Sequence, residues 1–479
     1  MAQASVKPGA EPLSYGEQVF GANQFRNATI AAHPHHGEGP ILRAQTSRSG
    51  QWAVATFLFG NGISLIGNAL VLVALPWFVL ETTDSAGRIG LIGMMSALPA
   101  LVSGILGGVL VDRLGGRRMS VIADIISGVA VLFIPLFYQT VGLNFIGLML
   151  LVFAGAALDI PGVTGRRLLL PELARGANMR DEAVTSAYET MQGASFIIGP
   201  ALAGILIYWI GTVNLLWITA AGFGVSALCI GLFSPAGKHV PDPEGPHAAS
   251  GAVAELKAGF RFLRTDALLL SLAIGLTFMN FLFTPFWSVV LPVIIDDRFG
   301  EASRFGLMLT ALGVGTLGGG LLYGTMGYRF RRHRRTIYLT GVASFVAMLW
   351  LLLSEPGYGP MLGLAFAVGL IGGPINPMLV NVRLERIPVA LRGRVFATFS
   401  GLAGGAAPVG MVSAGWLLEA TGVSKGLFVF AVVATVFTAG LWLVKPIHQM
   451  NDASIAIVEV KPGRARLARS GRRMDSGSS

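Results

Sequence analysis

The chain has 479 residues, of which 53% are hydrophobic and only 13% charged, with a formal net charge of +10. Soluble domains carry about 25% charged residues, so the composition excludes a soluble enzyme and points to a polytopic membrane protein. The basic excess does not indicate a nucleic-acid partner, because it falls in short connections and the tail, where the positive-inside rule places it.

Residues 1–50 are polar and hold no apolar run, which reads as a disordered cytoplasmic tail rather than a secretory signal. His33, His35 and His36 lie there without structured partner ligands, so no metal site is expected. Apolar runs long enough to span a bilayer, about 20 residues each, then recur near 52–79, 88–111, 119–138, 142–164, 184–209 and 212–234. Six more follow near 268–295, 303–325, 335–354, 358–380, 394–418 and 423–444. The expectation is an all-α polytopic membrane protein with twelve transmembrane helices. Its first six-helix half is 51–234 and its second 267–444. Residues 235–266 form a cytoplasmic linker, proline-rich at first and then a short amphipathic helix over 252–263 with Leu256, Phe260 and Leu263 on one face. Residues 445–479 are a basic, disordered cytoplasmic tail. Glycine, at 64 residues, suits close helix packing in lipid. The lone Cys229 lies in an apolar run and reads as a buried, inert thiol.

Charge sets the orientation. Alternate connections carry Arg113, Arg117 and Arg118, then Arg166, Arg167, Arg175 and Arg180, then Lys238, Lys257, Arg261 and Arg264. The same set continues with Arg329 to Arg335, and with Arg383, Arg386, Arg392 and Arg394. The opposite set holds only Arg88, Arg298, Arg304 and Lys425. Both termini are therefore expected in the cytoplasm, with the protein in the cell membrane.

The turn between the second and third spans reads Gly107-Gly-Val-Leu-Val-Asp-Arg-Leu-Gly-Gly-Arg-Arg118. A degenerate copy, Gly319 to Phe330, aligns with it without a gap, pairing Gly115 with Gly327 and Arg117 with Arg329. Two halves built alike are expected. The turn resembles the loop signature of the major facilitator superfamily. Gly108, Asp112, Arg113 and Gly115 match in place; Gly116 intervenes, so Arg117 sits one position late. The resemblance implies inverted repeats within each half, and a latch in which Asp112 and Arg113 meet the start of the eleventh helix near Arg394.

Gly193, Gly199, Pro200 and Gly204 in the fifth span are similar to the signature of the superfamily's exporters, and Arg166 to Asn178 resembles the branch that exports macrolides and siderophores. The implied function is secondary efflux of a small amphipathic compound by proton antiport with alternating access. The alternatives are a proton-coupled uptake symporter and a non-transporting sensor or scaffold. No phosphate loop, zinc-ligand spacing or nucleophile elbow is present, so neither cofactor nor enzyme activity is expected. The expected partners are a small-molecule substrate, protons and the lipid bilayer, and the expected state is a monomer.

Ionisable residues inside apolar spans are costly and so mark function by default. Three qualify as proton-coupling candidates: Asp124 early in the third span, Asp159 late in the fourth and Glu189 early in the fifth. All three fall toward the cytoplasmic third, where desolvation favours the neutral carboxyl. The competing reading pairs each with a loop arginine, for instance Asp159 with Arg166 or Arg167, as a lock on the helix end. Asn68 in the first span and Phe278, Asn280, Phe281 and Trp287 in the seventh are the candidates for a substrate cavity; packing against the helix core or lipid is their alternative.

Overall fold

The computed structural model describes residues 40–235 and 257–451. The chain divides into two compact units, Met1–Thr46 and Ser47–Ser479. Only the beginning of the first helix is described in the former, and the latter holds everything else.

Every regular element among the described residues is helical. The first half contains α1 (Pro40–Thr83), α2 (Ala86–Leu114), α3 (Gly116–Thr140), α4 (Phe145–Ala156), α5 (Asp159–Ala177), α6 (Asp181–Ile210) and α7 (Thr212–Phe233). The second contains α8 (Ala267–Pro285), α9 (Leu291–Phe299), α10 (Ala302–Met326), α11 (Arg334–Leu352), α12 (Tyr358–Gly372), α13 (Ile375–Arg386), α14 (Arg392–Thr421) and α15 (Val423–Leu443). Three spans are broken in mid-course: α4 and α5 form the fourth, α8 and α9 the seventh, α12 and α13 the tenth. Eleven spans among the described residues are long and apolar enough to cross a membrane. The 29-residue α2 is the twelfth.

Local chemistry explains the boundaries. Ser85, Asn144 and Asp266 cap α2, α4 and α8 by accepting hydrogen bonds from backbone N–H groups in their first turns. Single glycines join three helix pairs: Gly115 (φ 78°), Gly211 (φ 80°) and Gly422 (φ 80°). A side chain there would be strained, so each turn needs glycine. Gly211 and Gly422 occupy corresponding positions in the two halves, an internal repeat that the charged motif did not reveal. Gly327, aligned with Gly115 by sequence, has φ −57° and opens a 3₁₀ turn instead. The repeat there is one of sequence, not of backbone conformation.

The broken spans have causes too. Pro285 lacks the N–H that the Phe281 carbonyl would accept, and Gly410 of α14 packs directly against that carbonyl. A π-helical turn, Phe286–Val290, follows at once. The fourth span breaks at Ala157 and Leu158, immediately before Asp159. The tenth breaks at Gly373 and Pro374, so the fourth and tenth spans interrupt at corresponding places.

The hydrophobic core is asymmetric along the bundle. At the end remote from the arginine-rich turns, one continuous cluster joins both halves, running from Leu70–Leu80 and Ile89 through Ala203 and Ile207 to Leu282, Phe305 and Met411. At the arginine-rich end the core is split. Val54, Phe57, Leu169, Tyr188 and Ile230 form one cluster, entirely within the first half. Leu268, Tyr338, Met378, Val395 and Phe399 belong to another, entirely within the second. The halves touch through α2 against α14 and α6 against α10. Residues 257–263 are helical, with Leu263 buried but Phe260 exposed, so these two do not share a buried face.

Candidate functional site

The first half encloses a charged network. Asp124 of α3 is buried at 2% exposure and Arg166 of α5 at 3%, and the two form an ion pair. Ser64 of α1 donates to Asp124 Oδ1 at 2.9 Å, and Ser226 of α7 donates to Oδ2 at 2.7 Å. Arg166 Nη2 also donates to Ser64 Oγ at 2.9 Å. Four helices therefore converge on one carboxylate, which ends with no unmet demand for a donor. A charge pair this far from water is tolerated only with such complete hydrogen bonding. Around it lie buried polar atoms without partners: the Asn61 amide, the Tyr188 hydroxyl and Arg166 Nε.

Asp159 stands at the start of α5, half-buried, beside this network. Its side-chain partner is Ser127 Oγ at 3.5 Å, at the limit of hydrogen bonding. That hydroxyl already donates to the Gly155 carbonyl at 2.8 Å. Glu189 is different again. It pairs with Arg167 at 3.2 Å, and both side chains are about half exposed. Among the three candidate acids, then, Asp124 is deeply paired, Glu189 is paired at a wet surface, and Asp159 has no strong partner.

Two sequence expectations about this region need correction. Arg166 and Arg167 do not lie in a connection, because α5 continues past Pro171 to Ala177. The composite fourth span covers Phe145–Ala177, 33 residues, so Asp159 sits near its middle rather than late in it. The apolar run ends early in sequence, yet the helix persists because Leu169, Leu170, Leu173 and Ala174 bury one face. Sequence reasoning also missed Ser64, Ser127 and Ser226. The one available signal was the helical spacing of Asp124 and Ser127 on one face of α3.

The remaining candidates fall into three groups. Asp112 and Arg113 are exposed at the end of α2 and make no hydrogen bond or ion pair among the described residues. Gly108 lies within α2, and Arg394 in the first turn of α14. Arg117 turns inward within its own half and donates to the Gly231 carbonyl at the end of α7. Of the glycines of the fifth span, Gly204 faces the other half: a Cβ on it would meet Ser303 Cα at 2.8 Å and the Ala302 carbonyl at 2.9 Å. Pro200 meets Gly306 in the same crossing, Gly199 packs on Ala69 and Gly193 is open. In the seventh span Phe278 stacks on Phe437 with centroids 3.9 Å apart and tilts against Phe281 at 5.8 Å. Trp287 is buried against Phe283 and Phe286, with its indole N–H unpaired. Asn280 donates to the Leu276 carbonyl of its own helix, and Asn68 is half-buried in α1.

The end remote from the arginines carries polar contacts between halves that sequence reasoning missed. Glu419 near the end of α14 accepts from Ser85 Oγ and the Gly87 amide at the start of α2. Thr310 of α10 donates to the Ile197 carbonyl of α6 at 2.8 Å.

Among the described residues, eleven membrane-length spans and α2, breaks in three of those spans, two halves joined at one end and a buried charge network define a polytopic membrane transporter. The chain belongs to the Major Facilitator Superfamily, whose family model matches residues 57–294 and 276–461. It is 33% identical to "Multidrug efflux pump Tap" of Mycolicibacterium fortuitum over 74% of this chain and 87% of that one. A protein of the same name from Mycobacterium tuberculosis (strain ATCC 25618 / H37Rv) is 32% identical over 78% and 89%. "Macrolide efflux protein A" of Streptococcus pyogenes is 26% identical over 77% and 90%. Among solved structures, the nucleoside transporter NupG superposes with a TM-score of 0.66 at 14% identity, covering 82% of this chain and 98% of that one. A bacterial homolog of the lysosomal transporter Spinster, inward-facing and unoccupied, gives 0.60 at 15% identity, over 84% and 98%. At these identities the structural likeness speaks to the fold.

Proposed function

We propose that the protein is a secondary exporter of small amphipathic compounds, drugs among them, driven by proton antiport through alternating access. The observation that carries export is the likeness to the efflux pumps, which extends over nearly nine-tenths of their length. The split core supports alternating access: an apolar seal joins the halves at one end only, so opening there and closing at the arginine-rich end are complementary motions of two rigid bodies. With the arginine-rich turns facing the cytoplasm, this arrangement faces inward, and both termini lie on the cytoplasmic side.

Coupling to protons is supported by carboxylates held inside the first half, where charge is costly. Asp112 and Arg113 fit a latch for the opposite state, since both are unengaged while the seal is at the other end. The organisation into halves 51–234 and 267–444, joined by a linker, fits the same reading, as does action as a monomer. The test is ethidium accumulation in an efflux-deficient host, with and without an uncoupler. Lower accumulation than empty vector, abolished by the uncoupler, is expected. Accumulation equal to empty vector overturns drug export, and uncoupler-dependent uptake of a metabolite would replace it with symport.

A further inference from the structure

The buried network distinguishes two carboxylates that the sequence treats alike. Asp124 is met by three donors: Arg166 and Ser64 on one oxygen, Ser226 on the other. Protonating it would displace a donor and leave Arg166, itself 3% exposed, as an uncompensated buried cation. Asp159 is met by no donor of comparable quality. A hydroxyl has one proton to give, and Ser127 gives it to the Gly155 carbonyl. The Ser127 oxygen can still accept, so a protonated Asp159 has an acceptor there, whereas the ionised form has from Ser127 only a long contact of 3.5 Å. The ionised form gains instead from the start of α5 and from Arg166. Both protonation states of Asp159 are thus supported, each by different groups.

The surrounding elements leave this balance to a single cation. On α3 the facing groups are Asp124 and Ser127, on α1 Asn61 and Ser64, and on α7 Ser226. On α6 they are Tyr188 and Glu189, and the charge of Glu189 is met by Arg167 of α5. The helix α2, also packed on α5, has no charged residue between Arg88 and Asp112, and α4 has none at all.

We infer that Asp124 and Arg166 are a permanent ion pair, that Asp159 is the carboxyl that binds and returns the exchanged proton, and that Arg166 is the positioning cation shared by both. This rests on the proton-antiport reading. One proton joins one carboxylate oxygen of Asp159, taking the three-residue cluster from net minus one to neutral, and the same proton leaves when the cluster faces the other side. The unpaired Asn61 amide and Tyr188 hydroxyl provide polar positions toward which the guanidinium, whose own Nε is also unpaired, can shift as its second partner gains or loses charge.

The test is infrared difference spectroscopy of the full chain in liposomes, with pH stepped through neutrality to read the carbonyl stretch of protonated carboxyl groups. The wild type is expected to gain a carboxyl signal as pH falls. Asp159→Asn is expected to lose it. The double variant Asp124→Asn with Arg166→Gln, which removes the ion pair as a unit, is expected to keep the signal but to gain it at higher pH, because ionised Asp159 loses its cation. Persistence of the signal in Asp159→Asn, or an unshifted signal in the double variant, overturns the inference. The same liposomes, given a pH gradient and ethidium, separate this from the antiport reading. Gradient-driven ethidium movement that survives Asp159→Asn sinks the assignment and leaves antiport standing. An Asp159-dependent signal without gradient-driven movement in the wild type supports the proton site and sinks antiport.

Discussion

Glu419, two residues before the end of α14, holds the first turn of α2: its Oε2 accepts from Ser85 Oγ at 3.0 Å and from the Gly87 amide at 3.1 Å. The carboxylate belongs to one half and the helix start to the other. An anion at a helix N-terminus is favourable because unpaired amides and the helix dipole converge there. Ser85 is at the same time the cap of α2, donating to Glu419 and accepting from the Arg88 amide at 3.2 Å. One residue thus ties the local start of a helix to the closure of the bundle.

Glu419→Ala should weaken that closure by about 1 kcal/mol, enough to move several-fold more molecules into the state open at this end. Glu419→Gln, which keeps an acceptor, should do less. A pair of spin labels on the adjoining ends of α2 and α14 reads the change as a longer distance population. An unaltered distribution in Glu419→Ala would remove the latch.

Breaking the Asp124–Arg166 pair from one side should cost about 3–5 kcal/mol, because the partner stays buried and charged. Arg166→Ala and Asp124→Asn are each expected to lower the melting temperature in detergent sharply. The combined Asp124→Asn with Arg166→Gln should recover much of the loss, since neighbours in one network are not additive. Additive losses would mean that the two residues do not act as a unit.

The crossing of α6 and α10 leaves no room for a side chain. A Cβ on Gly306 would collide with the Pro200 carbonyl, and one on Gly204 would meet Ser303 Cα at 2.8 Å. Gly306→Leu is therefore expected to separate these helices and abolish ethidium efflux while the protein still inserts in the membrane. Efflux at wild-type level would show that close approach here is dispensable.

Asp112 is exposed and unengaged in this arrangement, so Asp112→Asn should change the melting temperature little, within about 0.5 kcal/mol of stability. If Asp112 latches the outward-open state, efflux should fall nonetheless. Loss of transport without loss of stability is the expected signature; full efflux would dismiss the latch.

Twelve spans, their up-and-down order and the charged turn were legible in the chain because lipid imposes its own arithmetic: a helix must hide its backbone over about 20 apolar residues. Sequence also narrowed the interior acids to Asp124, Asp159 and Glu189, since charge inside an apolar run stands out. It could not rank them. Their rank depends on hydroxyl groups at Ser64, Ser127 and Ser226, which sequence treats as ordinary, and on Arg166, which the end of an apolar run made look like a loop residue. Those partners lie 28 to 102 residues from the acids they serve, or from the carbonyl that competes for Ser127.

What the chain determined alone was local and periodic: hydrophobic length, helix caps, and the glycine turns at Gly115, Gly211 and Gly422, each set by neighbours a few residues away. Only the tertiary structure decided where the fourth span breaks, which carboxylate is paired, and that Glu419 seals α2. These depend on which side chains from distant helices share one small volume, and there a single donor more or fewer decides whether a buried charge is stable. No pattern along one chain records that count.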